Sequence, residues 1–522
     1  MFRRQIFDNA GTIVAMVRPV TVCLAFLAIS ACSGATVPTT PDNAPIVLTV
    51  GYPHVTGQDP RHGMRQAARL MSFEGLVLPS RSGRVQPRLA ESWSESADGL
   101  EWRFQLRKNA FFHDGTVVDA TTVKNSLERS LANADKDQYP GLADIVGIES
   151  PTPNELLIRL RDRSTFLLDD LGVSIQKVQP GKPPVGTGAY VASLDPSREL
   201  TMTAFPRYYR GNPRVGQIVW KAYPTVRTAW AAMMRGEIDF LYEVGEDARE
   251  FVAGEASIQT FPFLRNYVFA VAFNMKRGVL QDLRVRRALN HAVDRQTVLQ
   301  QAFKGHGRET SGSAWPEHWA YDSTVPNYAY DPARAAALLD AAVMKGSSPP
   351  RAGRPPSRLH FSCLLPENFA LWERVALLVQ RDLAEIGIDM HLETVSFSEF
   401  NQRIATGDFD AVLIELVVGN TPSRPYTFWY SKSTRDFTGY SNEKVDTAFD
   451  LIRRASDERH YRQGFTNFQT ALLEDPPAIF LALGQVTRAV SKRFQVIAPP
   501  GSDILSTIAD WRLADGAARM TN

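Results

Sequence analysis

Two periods of hydrophobic and polar residues alternate along most of the chain. From Trp102 to Leu106 every second residue is apolar, which is the period of a strand with one buried face. From 120 to 131 the apolar residues recur at helical spacing, and Asp119 before them is a good N-cap. Strand and helix patterns follow each other in this way over most of the sequence, which predicts α/β lobes.

Later segments repeat both patterns. The run 411–418 is almost wholly apolar and predicts a buried strand. The first strand is predicted at 46–52, and a cleft-facing loop is predicted to follow it at 54–63. Further strands are predicted at 269–274, 359–365, 388–395 and 476–483, and helices are predicted after Asp282, after Asp294, after Asp331 and over 367–386.

Composition narrows the class of protein. A chain of 522 residues with 44% hydrophobic content can bury more than one core, so we expect more than one lobe. The net charge of +2 gives no indication of a nucleic-acid partner. The sequence contains no glycine-rich phosphate loop, no Gly-x-Ser-x-Gly elbow and no His-Glu-x-x-His helix. We therefore expect no cofactor and no enzymatic activity, with a secreted hydrolase as the weaker alternative.

The N-terminal segment indicates where the protein works. Residues 20–31 form an apolar run shorter than the roughly 20 residues that span a bilayer, and three arginines precede it, as is typical of a secretory signal. The run ends in ISAC at 29–32, which resembles a lipobox, so we expect a signal peptide at 1–31, lipidation of Cys32 and a tether at 32–45. An uncleaved anchor or an ordinary signal peptide is the alternative, and translation starts at Met1 or at Met16.

A series of short motifs runs through the chain in a fixed order. The stretch from Arg88 to Gly115 reads RLAESWSESADGLEWRFQLRKNAFFHDG. It is followed by GTGAY at 186–190, MRGEID at 234–239, DLRVRRAL at 282–289 and YSNEKVD at 440–446. This order resembles that of the family 5 extracytoplasmic solute-binding proteins, the dipeptide and oligopeptide receptors of ABC importers.

The resemblance implies a two-lobed periplasmic-binding-protein fold of α/β class (type II, large cluster-C type), with an extra inserted lobe and a hinge-bending cleft. Lobe I would comprise 46–72, 184–270 and 484–522, the inserted small lobe 73–183, and lobe II 271–483. Hinge crossings are expected near Val271 and near Leu483. The implied partners are ABC permease subunits, a peptide or small-molecule ligand and, through the lipid anchor, an extracytoplasmic membrane surface; we expect a monomer.

The loop after the strand at 411–418 departs from the family. Peptide-binding members hold the ligand's α-ammonium with an acid in this loop, and here no acid falls between Val417 and Tyr430. Glu415 or Glu399 would then supply the charge, or Asn420 would bind a neutral group. Arg424 would pair with a ligand carboxylate or phosphate.

The ligand class therefore stays open at this stage. The cleft candidates are His54, Gln58, Trp315, Glu415, Gly419, Asn420, Arg424 and Trp429. Aromatic residues there suit peptide side chains, a sugar or a planar ligand such as haem, while His54 and His62 suit a metal chelate. A sensory receptor that uses the same cleft without transport is a further alternative.

Overall fold

The computed structural model of the protein describes residues 45–53, 60–132, 138–194, 200–245, 248–342 and 358–515. The predicted lipidation site Cys32 and the cleft candidates His54 and Gln58 lie outside these residues, as does the side chain of His62. Within the described part, no helix combines the length and the apolar character that crossing a bilayer requires.

Strands occur along the whole described chain. They are β1 Ile46–Pro53, β2 Val77–Pro79, β3 Val85–Pro87, β4 Ala90–Glu95, β5 Glu101–Leu106, β6 Ile145–Thr152, β7 Glu155–Leu160, β8 Tyr190–Leu194, β9 Leu200–Ala204, β10 Val215–Tyr223, β11 Phe240–Val244, β12 Ile258–Phe273, β13 Gly307–Glu309, β14 Leu359–Pro366, β15 Ile388–Val395, β16 Ala411–Val417, β17 Ala478–Ser491, β18 Phe494–Gln495 and β19 Arg512–Leu513.

Helices alternate with these strands. They are α1 Pro60–Ser72, α2 Ala120–Ala132, α3 Phe166–Asp170, α4 Val226–Met234, α5 Arg249–Ala253, α6 Leu283–Ala292, α7 Arg295–Ala302, α8 Pro332–Ala341, α9 Ala370–Glu385, α10 Phe397–Thr406, α11 Ser423–Trp429, α12 Glu443–Arg453 and α13 Glu458–Glu474, with short 3₁₀ turns at Leu142–Asp144, Gly278–Gln281 and Ile504–Asp510.

The main sheet is mixed and continuous. Its order is β15-β14-β16-β12-β17-β11-β1-β10-β9-β8, with β13 paired to β17 beside that path. Parallel pairs join β14 to β15 and to β16, and join β1 to β10 and to β11. A separate antiparallel sheet, β4-β5-β7-β6, lies within the segment predicted as the inserted lobe. Of the strands in the described ranges, β12 and β17 are the two long ones that pair along the middle of the main sheet, and we call their irregular junction the crossing.

Side-chain patterning explains these elements. Asp282, Asp294 and Asp331 each accept a hydrogen bond from a backbone N–H in the first turn of their helices, so the predicted N-caps are confirmed. Consecutive residues of β12 from Val268 to Phe273 alternate between two hydrophobic cores, one on each face of the sheet. Cys363, predicted as a small buried hydrophobe, is fully buried on β14.

The structure corrects three predicted boundaries. The cleft-facing loop ends earlier than residue 63 because α1 begins at Pro60, a residue suited to a first helical turn. The strand predicted at 269–274 begins at Ile258, and the strand predicted at 476–483 continues to Ser491. The added part of the first strand, from Ile258, pairs with the added part of the second strand, up to Ser491. This pairing is a tertiary contact, so the local periodicity of either segment does not predict it.

The crossing itself is irregular. Leu264 of β12 pairs with Gln485 of β17, whereas Val268 pairs with Leu483, so three residues of β12 oppose a single residue of β17. A smaller shift on β17 follows between the partners of Phe269 and Ala270. Val271, near which a hinge is predicted, pairs with both neighbouring strands. The wider interruption of the β12–β17 pairing lies at residues 265–267, which face Gly484. Gly484 is next to Leu483, near which the second hinge crossing is predicted.

Candidate functional site

A group of charged side chains gathers at this crossing. Arg265 and Tyr267 belong to the interrupted part of β12, Glu415 lies on the neighbouring strand β16, and Glu243 lies on β11. We call Glu243, Arg265, Tyr267 and Glu415 the crossing cluster. Arg265 Nη1 lies 3.8 Å from Glu415 Oε1, and the Arg265 guanidinium carbon lies 4.8 Å from the centre of the Tyr267 ring.

Neither member of this ion pair is saturated by the protein. Among the described residues, no side-chain hydrogen bond is formed by Arg265 or by Glu415, and the only direct ionic contact of these two side chains is the 3.8 Å pair. The side chains keep 36% and 21% of their surfaces exposed, so an incoming molecule can reach both. Partly buried polar groups without hydrogen-bond partners are a common property of ligand sites in the empty state.

The electrostatic environment favours an incoming cation at Glu415. Burial raises the pKa of the Glu415 carboxyl above its ordinary value; Arg265 opposes this shift and Glu243 adds to it. The ionised form of Glu415 is therefore poorly solvated and only partly compensated by Arg265. A ligand ammonium placed beside Glu415 would supply the missing compensation.

Aromatic rings form the neighbouring wall. The rings of Tyr52 and Tyr242 lie 4.7 Å apart, and Arg488 stacks 3.8 Å from the Tyr242 ring. Burial raises the pKa of Tyr52 to about 12, so this phenol stays neutral. Arg488 Nη2 donates to Asp503 Oδ2 at 2.8 Å, and Arg488 Nη1 donates to the Tyr242 carbonyl. The guanidinium of Arg488 therefore has hydrogen-bond partners in the protein, whereas the guanidinium of Arg265 has none among the described residues.

The loop predicted to contact ligand is attached to the same crossing. The backbone N–H groups of Val418 and Gly419 donate to the Asn266 carbonyl at 2.9 and 3.3 Å. The Asn266 amide donates in turn to Asn420 Oδ1 at 3.4 Å. Gly419 adopts a φ of +62°, which turns the chain sharply after β16. Glu415, Gly419 and Asn420 are thus brought together, whereas the alternative acid Glu399 is exposed in the first turn of α10.

Arg424 and Trp315 occupy a different contact. Arg424 Nη1 donates to the Gln138 carbonyl at 2.6 Å, and its guanidinium lies 4.5 Å from the Tyr139 ring. Trp315 is buried, and its Nε1–H donates to the Arg81 carbonyl at 2.7 Å. Both side chains therefore join the predicted lobe II to the predicted inserted lobe, and both have protein partners where a ligand contact is predicted.

Trp429 differs from the cleft position expected of it. Only 1% of its surface is exposed, and its indole meets Tyr440 and Phe480 edge-on at 6.0 and 5.7 Å. Its Nε1–H has no hydrogen-bond partner in the described part of the chain. The apolar face of α11, which also buries Pro425 and Tyr426, explains this placement in the core.

Sequence reasoning missed Arg265, Tyr267 and Glu243. A signal for the first two is present, because Arg265-Asn266-Tyr267 interrupts an apolar strand pattern between Phe263 and Phe273. A charged residue inside such a run is costly unless it has a partner or a function. That signal becomes visible only when the strand is known to begin at Ile258.

A second concavity lies elsewhere in the predicted lobe II. It is small and lies between residues 310–314 and α13. Its walls are Ser, Thr, Gln and Asn side chains together with apolar ones, and the pocket has no charged lining residue. The described residues also contain no group of three or more His, Cys, Asp or Glu side chains that would hold a metal ion.

Comparison with known proteins agrees with this architecture. The model of the family described as bacterial extracellular solute-binding proteins, family 5 Middle, matches residues 84–438. The probable D,D-dipeptide-binding periplasmic protein DdpA of Escherichia coli is 25% identical over 441 residues, which cover 78% of this chain and 81% of that protein.

Two solved structures show the same fold. NikZ of Campylobacter jejuni, in complex with Ni(L-His), aligns with a TM-score of 0.76 at 22% identity over 89% of this chain and 99% of that one. The oligopeptide-binding protein AppA of Bacillus subtilis, in complex with a nonapeptide, aligns with a TM-score of 0.74 at 20% identity. The alignment covers 90% of this chain and 100% of that one. The predicted fold class, the type II periplasmic-binding-protein fold, is confirmed. With two thirds of its length matched by the family model, this chain belongs to the family 5 bacterial extracellular solute-binding proteins.

Proposed function

We propose that the protein is the substrate-binding component of an ABC importer and that it captures a peptide or a related small solute at the crossing cluster. The observation that carries this proposal is the Arg265–Glu415 pair, whose two groups are reachable and lack hydrogen-bond partners among the described residues. Relatives named for binding dipeptides and oligopeptides support a peptide as the ligand.

Glu415 takes the role of the acid that is missing from the loop after β16. It lies on the strand that leads into that loop, within 4 Å of Arg265, and the charge of Glu243 acts on its pKa. A ligand ammonium beside Glu415 would therefore meet the Glu415 carboxylate directly and would also be attracted by Glu243. Removing one partner of such a desolvated charge pair costs roughly 2 to 5 kcal/mol, or about 30-fold to several thousand-fold in affinity.

A non-peptide solute is the second candidate ligand. NikZ, which shares the fold, is described with Ni(L-His), a chelate that carries amino-acid groups. In such a chelate the amine nitrogen is a metal ligand and not an ammonium, so this ligand would not depend on Glu415 as an ammonium partner. A sensing role with the same ligand contacts differs only in the membrane partner, and co-purification with permease subunits separates the two roles.

Thermal unfolding with peptide ligands tests the proposed site. We expect free di- to pentapeptides to stabilise the parent protein, by about 2.7 kcal/mol at 100 times the dissociation constant, and N-acetylated peptides to stabilise it far less. Glu415→Gln should lose this response, because the amide cannot compensate an ammonium. Glu399→Gln is the matched control and should keep the response. Unchanged binding by the Glu415→Gln protein would assign the ammonium to another acid.

We further propose that Cys32 carries a lipid that holds the protein on an extracytoplasmic membrane surface. The ISAC sequence at 29–32 supports this, with the apolar run before it. Cys32→Ala should move the protein from the membrane fraction to the soluble extracytoplasmic fraction, as detected by immunoblotting. Retention of the variant in the membrane would indicate an uncleaved anchor, and a soluble parent protein would indicate an ordinary signal peptide.

A further inference from the structure

The turn between β2 and β3 joins the predicted inserted lobe to the predicted lobe II. We call residues 80–84 the hairpin tip. The Ser82 carbonyl accepts a hydrogen bond from Trp319 N–H at 3.0 Å, and the Arg81 carbonyl accepts one from Trp315 Nε1–H at 2.7 Å. The hairpin tip is therefore attached through its backbone to one loop of lobe II.

His318, in that loop, lies against the hairpin tip. Gly83 adopts a φ of +76°, and a methyl group on Gly83 would lie 2.2 Å from His318 Cδ2 and 2.5 Å from its Nε2. The imidazole ring stacks on Phe465 of α13, with the ring centres 4.6 Å apart and the planes 7° apart. The ring is thus enclosed between α13 and the glycine of the hairpin tip, and only 4% of the surface of His318 is exposed.

The hydrogen bonds of His318 require its neutral form. Nδ1 accepts from Ala320 N–H at 3.1 Å, so the single hydrogen of the neutral ring is on Nε2, which lies 3.5 Å from the Tyr461 hydroxyl. A second proton would have to bind Nδ1, where it would face the Ala320 N–H in place of a lone pair. Protonation therefore removes one hydrogen bond and sets two donors against each other.

The charges around the ring also oppose protonation. The two cations that act on His318 are Arg84 of the hairpin tip and Arg462 of α13, and both stack on the neighbouring Trp319 ring, at 3.9 and 4.8 Å. Burial, together with these two charges, lowers the pKa of His318 to about 3. The other titratable groups nearby are Arg81, Glu317, Glu458, Tyr461 and, through its effect on Tyr461, Asp169. The two glutamates already pair with the two arginines of the hairpin tip.

We propose that His318 and the hairpin tip form an acid-sensitive latch between the predicted inserted lobe and the predicted lobe II. At neutral pH the uncharged ring accommodates the hairpin tip and the latch is closed. When the hairpin tip withdraws, the ring meets water and takes up a proton, so acid favours the released form. The latch acts on the arrangement of the lobes and does not depend on which solute the protein captures.

The size of the effect follows from the two forms of the latch. With the hairpin tip withdrawn, His318 regains its ordinary pKa of about 6.5, against about 3 in the closed form. The closed form is therefore fully favoured above pH 6.5 and loses stability as the pH falls from 6.5 towards 3. At pH 4.5 the equilibrium shifts towards the released form by up to about 100-fold relative to pH 7.5. Asp169 and Asp170 act in the opposite direction, because burial raises the pKa of each.

Hydrogen exchange tests the latch in the absence of ligand. The readout is the protection factor of the Trp319 amide, which donates to Ser82 across the latch, measured by mass spectrometry at pH 7.5 and pH 4.5. Protection in the parent should fall by about 10- to 100-fold in acid, and protection in His318→Asn should change by less than about threefold. Asparagine keeps an acceptor for Ala320 N–H but takes up no proton. Peptides from β16 in the same digest should keep their protection, which shows that the core stays folded.

A pair of glycine variants tests the latch by shape instead of charge. Gly83→Ala sets a methyl group against His318 and should lower Trp319 protection at pH 7.5 by about 10-fold or more. Gly181→Ala is the matched control, because Gly181 has a φ of +71° and no described atom lies within 4 Å of the added methyl group. It introduces the same backbone strain and should leave Trp319 protection as in the parent.

The outcomes separate the latch from the proposed function. Equal loss of protection in the parent and in His318→Asn would overturn the role of His318. Unchanged protection of the parent in acid, or a Gly83→Ala protein that exchanges like Gly181→Ala, would overturn the latch itself. None of these measurements contains a ligand, whereas the proposed function is tested by peptide binding at constant pH, so either proposal can fail without the other.

Discussion

At the residue scale, Asp170 should give the stability of the protein a measurable dependence on pH. It is fully buried at the end of α3, where it accepts hydrogen bonds from Gly141 N–H at 2.7 Å and Ser423 Oγ–H at 3.1 Å. Burial raises the pKa of Asp170 to about 6, although Arg424 opposes the shift. The folded state therefore favours the protonated acid more than the unfolded state does, and stability rises as pH falls from about 7 to about 4.

The pH dependence due to Asp170 is measured as the difference in unfolding free energy between the parent and Asp170→Asn. Between pH 7 and pH 5, the parent should gain about 1 kcal/mol of unfolding free energy relative to Asp170→Asn, as measured by urea denaturation at each pH. The subtraction matters because burial also raises the pKa of Asp169, while burial lowers the pKa of His318 to about 3, which acts in the opposite direction. Parallel pH profiles of the two proteins would contradict the assignment to Asp170.

The residue scale is also where sequence reasoning succeeded most directly. The caps at Asp282, Asp294 and Asp331 follow from one side chain and its own helix, so they can be predicted without tertiary knowledge. The same holds for Cys363, whose apolar neighbours already indicate burial. The unused donors of Arg265 could not be predicted, because the absence of a partner is a property of the assembled sheet.

At the scale of elements, the two crossing strands explain where prediction stopped. The apolar run of β16 is complete in the sequence, and the strand was predicted within one residue of its end. The strands β12 and β17 were predicted at about half their lengths or less, because their remaining halves contain polar residues that form a strand only by pairing with each other. Long-range pairing overrides local periodicity in such segments. Arg265 and Tyr267 of the crossing cluster lie in the part of β12 that the sequence pattern does not predict.

The position of the interruption leads us to predict that it is the point where the sheet bends. Residues 265–267 face a single residue of β17, so this is the part of β12 with the fewest ladder hydrogen bonds to that strand. Bending of one half of the sheet against the other requires the least disruption there. Arg265 lies inside this segment, so a ligand captured at the crossing cluster, as proposed, would contact the crossing directly.

At the scale of the whole molecule, a second contact joins the predicted inserted lobe to the predicted lobe II. We call this contact the seam and define it by Asp144, Phe166, Arg424 and Arg453. Phe166 is fully buried in the core that contains Tyr426, with their rings 5.3 Å apart. Arg453 Nε donates to Asp144 Oδ2 at 3.0 Å, and its Nη2 donates to the other oxygen. Opening of the cleft would have to separate these groups unless both lobes moved together.

The seam therefore predicts that the protein stays closed without ligand and opens when the seam is weakened. Arg453→Gln should cost about 3 to 5 kcal/mol of unfolding free energy, because it leaves Asp144, only 5% exposed, without its partner. Arg403→Gln is a close control, because Arg403 is 18% exposed against 17% for Arg453 and forms a similar two-pronged pair with Glu393. Arg403 also donates to the Asp408 carbonyl at 2.9 Å and lies 3.5 Å from the Asp408 carboxylate. Both acids are far more exposed than Asp144, so the loss of Arg403 should cost about 1 kcal/mol or less.

Solution scattering distinguishes a conformational effect from a loss of stability. At a temperature where both variants remain folded, ligand-free Arg453→Gln should have a larger radius of gyration than the parent, and ligand should reverse the increase. Arg403→Gln should scatter like the parent with and without ligand. A ligand that must contact both lobes binds the closed form, so for such a ligand the affinity of Arg453→Gln should fall by the fraction of molecules that have opened. Unchanged scattering together with unchanged affinity would show that the seam moves as one body with both lobes and that closure is governed at the crossing alone.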